Sequence, residues 1–142
     1  MTDLSNKLRL PVLCVAMALC LVPATEVRGN IRFFTKVMQN IQHYRLAGDM
    51  VQFNLEGQGT GNLTFYLTLP SRRNNIDEVL MGGYLAVGYA IDRTGLKVKT
   101  VYVTAATGER HVVTKVDAAL LAQLLTKQIS PNKFLGLIER IE

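Results

Sequence analysis

The sequence predicts a small α+β domain in which two antiparallel β-hairpins form a four-stranded sheet that packs against helices. Three observations lead to this fold class. The chain of 142 residues is long enough for one core of ordinary size. Two pairs of short runs with alternating apolar residues are each joined by a turn-forming stretch. The segments around them repeat apolar residues at helical spacing. The predicted order of elements is α-ββ-α-ββ-α-α, all within residues 25–142.

Residues 1–24 are predicted to be a signal peptide rather than part of this domain. Lys7 and Arg9 precede an uncharged stretch, Leu10–Ala24. The apolar core of this stretch falls within the roughly 7–15 residues typical of a signal peptide, and below the roughly 18 that a spanning helix needs. We therefore expect a secreted or periplasmic protein. The alternative is a segment that is retained as a buried helix or a membrane anchor.

Cleavage is predicted near Ala24, because Val22-Pro23-Ala24 places small or modest side chains at the positions that a signal peptidase recognises. Both cysteines, Cys14 and Cys20, lie in the segment to be removed, and their spacing is not that of a C-x-x-C redox pair. The remaining chain contains no cysteine. Its stability must therefore come from packing rather than from disulfide bonds.

The first helix is predicted over Asn30–Ala47, because apolar residues recur there every three or four positions. Asn30 is expected to be the N-cap, and Gly48 stands just past the expected C-terminus. Two alternating runs follow, residues 50–56 and 63–69, joined by the glycine-rich stretch GQGTGN. This pattern predicts the first β-hairpin.

A buried central helix is predicted next, and Asn75 and Glu78 have the spacing of a capping box at its start. Residues 79–91 carry no charge, which makes them too apolar for a surface helix and too short to span a membrane. Small side chains let a helix approach a sheet or a partner closely. They recur every four positions along this helix, at Gly82, Ala86 and Ala90.

The second hairpin is predicted from residues 96–105 and 110–116, which are joined by the turn ATGE. Asp117 is expected to cap a helix over residues 118–128. Ser130 is expected to cap a last helix, Pro131–Glu142, with proline at its first position. Two ββα units in series suggest a duplicated element, although we recognise no residue-level repeat in the sequence.

No catalytic, cofactor-binding or metal-binding residue is assigned from the sequence, and no cofactor is expected. His43 and His111 have no Cys, His or acidic neighbours at the spacing of metal ligands. The glycine-rich stretch is followed by a predicted strand rather than by the helix that a phosphate-binding loop requires. Ser130 and Lys133 match the S-x-x-K pattern of serine acyl-enzymes, but a Ser-Pro helix start explains them more simply.

The net charge of +5 permits contact with anionic partners without requiring it. Basic residues are scattered singly apart from Arg72-Arg73, so nucleic acid is not a favoured partner. Arg72 and Arg73, in the loop before the central helix, are the residues that we expect to contact an acidic partner. Asn62 begins an N-x-T sequon, which matters only in a eukaryotic secretory pathway.

These observations favour an exported, non-catalytic domain that binds a protein or a small ligand, with a homodimer as one arrangement. No membrane span is expected in the mature chain. The alternative is a small hydrolase or lyase, which requires His43 or His111 within about 3 Å of a carboxylate or hydroxyl group. A third hypothesis is peripheral attachment to anionic membranes through the net positive charge.

Overall fold

The computed structural model describes residues 28–46 and 51–141, so the predicted signal peptide with its two cysteines, and Gly48, lie outside the described residues. Helix α1 covers residues 28–43. The elements that follow are β1 (Gln52–Glu56), β2 (Leu63–Pro70), α2 (Ile76–Thr94), β3 (Val98–Thr107), β4 (Arg110–Asp117), α3 (Ala118–Leu125), α4 (Pro131–Leu137) and β5 (Glu139–Ile141). The predicted α+β class is confirmed.

The sheet has five strands in the order β1-β2-β3-β4-β5 and is mixed. Both predicted hairpins are present, because β1 pairs with β2 and β3 with β4 in antiparallel fashion. The two hairpins join through a parallel pairing of β2 with β3. Helix α2 connects these two strands and returns the chain to the end of the sheet where β2 began. Strand β3 therefore starts at the same end as β2 and runs parallel to it.

The prediction of four strands and of a final helix reaching Glu142 was wrong. Helix α4 ends at Leu137, and Ile138 has extended backbone angles of φ −67° and ψ 138°. Strand β5 then pairs antiparallel with the outer edge of β4. This pairing satisfies backbone groups of β4 that an open sheet edge would leave to solvent. The element order within the described residues is therefore α-ββ-α-ββ-α-α-β.

Helix α2 is the centre of a helical layer on one face of the sheet. The predicted stripe of Gly82, Ala86 and Ala90 is buried, but the glycine that approaches the sheet is Gly83, outside that stripe. A Cβ atom placed on Gly83 would lie 2.8 Å from Val103 Cγ1 and 3.0 Å from Leu69 Cδ1, both on the sheet. A Cβ atom on Gly82 would lie 2.6 Å from Leu46 Cδ1, beyond the end of α1. The small-residue surface of α2 is thus covered by this chain itself.

Of the four predicted N-caps, only Ser130 caps its helix through its side chain. Asp117 stands at the N-cap position of α3, as predicted, but makes no side-chain capping bond. Asn30 lies inside α1, which already covers residue 28. Asn75 stands at the N-cap position of α2 without capping it, because its Oδ1 accepts a hydrogen bond from the Arg72 backbone N at 2.6 Å. The predicted capping box with Glu78 therefore does not form. Ser130 caps α4, with its Oγ accepting from the Lys133 backbone N at 3.2 Å.

The core contains one buried chain of side-chain hydrogen bonds between α2 and the sheet. Thr114 Oγ1 donates to the Val103 carbonyl oxygen at 2.7 Å, and the Tyr84 hydroxyl lies 2.7 Å from Thr114 Oγ1. Because the single hydroxyl proton of Thr114 points to Val103, Tyr84 is the donor in the second bond. Burial raises the pKa of Tyr84 to about 12, so its hydroxyl is protonated at neutral pH.

Candidate functional site

The face of the sheet opposite the helices is not covered by any element that the structure describes. We call this surface the open face. Strand register assigns its members, since residues that alternate with the buried Phe65, Leu67 and Val103 point to the other side. The open face consists of Gln52, Asn54, Glu56, Thr64, Tyr66, Thr68, Pro70, Lys99, Thr100, Tyr102, Thr104, Ala106, His111, Val113, Lys115, Asp117, Glu139 and Ile141.

The centre of the open face is built from two matching pentapeptides. Residues 64–68 read TFYLT on β2, and residues 100–104 read TVYVT on β3. The parallel register pairs Thr64 with Thr100, Tyr66 with Tyr102 and Thr68 with Thr104. Identical side chains therefore lie side by side on neighbouring strands, about 4.8 Å apart. We call these six residues the Thr-Tyr-Thr ladder.

The two tyrosines of the ladder stack on each other. Their ring centroids are 4.7 Å apart and their planes differ by 15°. On the other side of Tyr102, Lys115 Nζ lies 5.8 Å from the ring centroid, close enough for a cation–π contact. Desolvation raises the pKa of Tyr66, and the Glu56 carboxylate beside it raises that pKa further. The stacking and cation–π contacts hold both rings in place. The raised pKa keeps the Tyr66 hydroxyl neutral, so that it can both donate and accept hydrogen bonds.

The open face carries the opposite charge to the whole chain. Its central strands place one charged residue on it, because β3 skips Lys99 in its pairing with β2, and Lys99 is exposed between the buried Val98 and the open-face Thr100. Its borders carry three carboxylates, and with the ammonium groups of Lys99 and Lys115 the formal charge of the open face is −1, whereas the chain carries +5. The carboxylates belong to Glu56, Asp117 and Glu139. The Thr-Tyr-Thr ladder is therefore an uncharged, hydroxyl-rich centre with an acidic border.

Arg72 and Arg73, the predicted partner contacts, are not among the strand residues of the open face. Both are exposed in the loop between β2 and α2. Arg73 lines a cleft of about 370 Å³ at the start of α2, together with Asp77 and Arg140. Arg140 Nη2 contacts Asp77 Oδ1 at 3.1 Å, so this cleft already holds a carboxylate paired with a guanidinium group.

The two histidines do not form a catalytic arrangement among the described residues. His43 is exposed on α1, where its ring contacts Tyr44, and His111 is exposed at the start of β4. Neither histidine hydrogen-bonds to a carboxylate or hydroxyl group in the part of the chain that the structure describes. Within the same residues, no group of three His, Cys, Asp or Glu side chains could hold a metal ion. The histidine contact on which the hydrolase or lyase hypothesis depends is thus not formed among these residues.

Sequence analysis missed the ladder because each pentapeptide by itself looks like an ordinary half-buried strand. The repeat TFYLT and TVYVT was visible in the sequence, at positions 64–68 and 100–104. The two copies form one surface only because β2 and β3 pair in parallel and in register, and no local sequence pattern specifies that pairing. The signal that could have found it is the conjunction of the repeat with a helix of crossover length between the two copies.

The fold and its open face define a two-layer α+β domain with helices on one side of the sheet and a tyrosine-centred surface on the other. None of its described helices has the length and apolar character to cross a bilayer. Comparison of the chain with protein-family models, curated proteins and solved structures finds no match. Function is therefore inferred from the residues and geometry of this chain alone.

Proposed function

We propose that this protein is an exported, non-catalytic interaction domain that binds another protein through the open face of its sheet. The observation that carries the proposal is the Thr-Tyr-Thr ladder, an uncharged hydroxyl-rich centre on the uncovered side of the sheet. Tyrosine is enriched in protein interfaces, because its ring buries a large area with little conformational freedom to lose. Export remains part of the proposal and depends on the predicted signal peptide.

The partner that fits this surface is a flat protein surface bordered by Lys and Arg. Six hydroxyl groups of the ladder can each donate and accept hydrogen bonds, which suits backbone and amide groups of a protein. The acidic border formed by Glu56, Asp117 and Glu139 would attract a basic border and speed the encounter. Small ligands generally need a concave site, and a sheet face does not supply one.

The size of the open face agrees with a protein partner. Five strands at about 4.8 Å and eight residues of β2 at about 3.3 Å give a footprint of roughly 600 Å². An interface of this size buries roughly 1,200 Å² over both partners, at the lower limit for specific complexes. We therefore expect a reversible complex of moderate affinity rather than a permanent one.

Pairing of two open faces is disfavoured by their charges. A two-fold axis along the strands at the ladder would bring Glu56 of one copy towards Asp117 of the other. An axis across the strands would bring the two copies of Lys115 together. Like charges at close range oppose either arrangement. A different protein is therefore the partner that we propose.

Site-specific photocrosslinking in the producing cells tests the proposal. A photoreactive phenylalanine analogue is placed at Thr104 on the open face, and the matched control carries it at Gln123, exposed on α3 in the helical layer. We expect a discrete adduct with another protein from position 104 and none from position 123. That protein is then purified, and its affinity for the full chain is measured by calorimetry.

The decisive variant is Thr104→Arg, which places a cation where a basic-bordered partner must dock. We expect the affinity to fall at least tenfold, whereas Gln123→Arg changes it by less than twofold. Circular dichroism and thermal melting show whether each variant is folded; if Thr104→Arg is not, Glu56→Gln with Glu139→Gln replaces it and should slow association. An adduct with a second copy of this chain, no adduct from position 104, or equal losses in both variants would overturn the proposal.

A further inference from the structure

A second surface, at one end of the helical layer, is strongly basic. Arg28, Arg32 and Lys36 recur every four residues along α1 and therefore lie on one side of that helix. Arg93 is in the last turn of α2, and Lys97 follows two residues after the helix-ending Gly95. We call these five basic residues the cationic face.

Two clefts show that α1 and the end of α2 bring these residues together. One cleft, of about 250 Å³, lies between α1 and the C-terminal end of α2 and includes three of the five, Arg32, Lys36 and Arg93. A second cleft, of about 400 Å³, is lined both by Lys97 and by Gly29 at the start of α1. The basic residues of both elements thus converge on one end of the molecule.

Carboxylates are absent from the described lining of both clefts. Asp92, the neighbour of Arg93, instead lines a groove between α2 and α3. The one ion pair found among the described residues, Arg140 with Asp77, lies at the opposite end of α2. The positive charge of the cationic face is therefore not neutralised by the described part of the chain.

Ile31 lies among these basic residues and is 56% exposed, the most exposed large apolar side chain among the described residues. An apolar side chain surrounded by Lys and Arg suits the boundary between lipid headgroups and acyl chains. Each basic residue near an anionic leaflet strengthens the attraction of the protein to the membrane, and an exposed apolar side chain can insert between the headgroups. A free phosphate ion would use the charges but would leave Ile31 in water.

We propose that the cationic face docks on the surface of an anionic phospholipid bilayer, with Ile31 inserted between headgroups. The position of the face in the chain agrees with this partner, because the uncharged stretch Leu10–Ala24 ends four residues before Arg28. In an exported chain, the α1 part of the cationic face, Arg28, Arg32 and Lys36, therefore follows closely after the predicted signal peptide. The open face of the sheet lies on the other layer and stays available for its own partner.

Vesicle cosedimentation tests the proposal with the protein as the cell produces it, its N-terminus determined by mass spectrometry. The readout is the ratio of binding to vesicles with 30% anionic phospholipid over binding to neutral vesicles. Any apolar N-terminal segment contributes equally to binding of anionic and of neutral vesicles, so it does not change this ratio. The variant is Arg32→Gln with Arg93→Gln, and the matched control is Arg72→Gln with Arg73→Gln, which removes the same charge at the other end of α2.

We expect the cationic-face variant to lose about 25-fold in the ratio, at about fivefold per basic residue, and the control to lose less than twofold. Raising the salt from about 50 mM to about 500 mM should weaken wild-type binding to anionic vesicles strongly. If the first variant does not fold, Arg28→Gln with Lys97→Gln replaces it. Equal losses in variant and control, no preference for anionic vesicles, or displacement by millimolar inorganic phosphate or by duplex DNA would overturn the proposal.

Discussion

The hydrogen-bonded chain from Tyr84 through Thr114 to Val103 predicts a specific pattern of mutant stabilities. Tyr84 and Thr114 are both fully buried, so neither hydroxyl can find water when its partner is removed. Thr114→Val keeps the shape of the side chain but leaves the Tyr84 hydroxyl without an acceptor. Tyr84→Phe removes that hydroxyl and leaves Thr114 bonded to Val103. The two single variants are therefore unequal.

The magnitudes follow from the difference between losing a hydrogen bond and stranding a polar group. Tyr84→Phe should cost about 1 kcal/mol, the net value of one neutral hydrogen bond. Thr114→Val should cost about 2–3 kcal/mol, because the Tyr84 hydroxyl is then buried away from water without its hydrogen-bond partner. The double variant contains no stranded hydroxyl. We expect it to cost about 2 kcal/mol, which is about 1–2 kcal/mol less than the sum of the single changes.

Urea denaturation of the wild type and the three variants measures these free energies of unfolding. Thr126→Val is the matched control, because the Thr126 hydroxyl bonds the Ala122 carbonyl at 2.9 Å on an exposed helix end. It should cost less than about 0.5 kcal/mol. Additive single and double variants, or a Thr114→Val variant that loses no more than the control, would refute the assignment of Tyr84 as a buried donor.

Three further predictions concern single positions. The pKa of Tyr84, raised by burial to about 12, makes the folded state release this proton later than the unfolded state, which does so near pH 10. The resulting stability is complete below pH 10 and declines by up to about 1.4 kcal/mol per pH unit between pH 10 and 12. Urea curves at pH 9, 10 and 11 should show a larger loss for the wild type than for Tyr84→Phe, in which Tyr44 and Tyr66 keep their raised pKa values. Gly83→Ala should destabilise by about 1–3 kcal/mol in thermal melts, because the new Cβ would meet Val103, and a gain of the size that helix propensity predicts would contradict this packing. Ser130→Ala should cost about 1 kcal/mol through loss of the bond from the Lys133 backbone N, whereas an unchanged melting temperature would show that the cap is not needed.

The parts of the fold that could be predicted are those that local sequence determines. Alternating apolar residues joined by turn residues specified both hairpins, and an uncharged run of helical length specified the buried α2. The parallel pairing of β2 with β3 was not predictable in this way, because it joins residues about one helix apart in the chain. Strand β5 was missed since its residues Glu139–Ile141 are exposed and show no buried alternation. Its pairing partner, rather than its own sequence, makes it a strand.

The candidate site was less predictable than the fold. Arg72 and Arg73 are exposed in the loop before α2, as the sequence predicts, and their contact with an acidic partner stays a prediction. The basic residues of the cationic face are spread over residues 28–36 and 93–97, so they look scattered until α1 and α2 are packed together. Tyr66 and Tyr102 are similarly distant in sequence and meet only through strand register. A surface that is assembled from separate elements can be recognised only when the tertiary arrangement of those elements is known.

The parallel β2–β3 pairing has a consequence for how the molecule can assemble and be divided. Each ββ hairpin closes over a short loop, but Thr64 reaches Thr100 only after the whole of α2 has been placed across the sheet. Closure of this long segment should limit the folding rate more than formation of either hairpin. A chain cut in the α2–β3 connection would give two fragments, each with a bare inner strand edge that only the other fragment matches. Reassociation of such fragments would follow second-order kinetics, and the two fragments would rejoin by pairing β2 with β3.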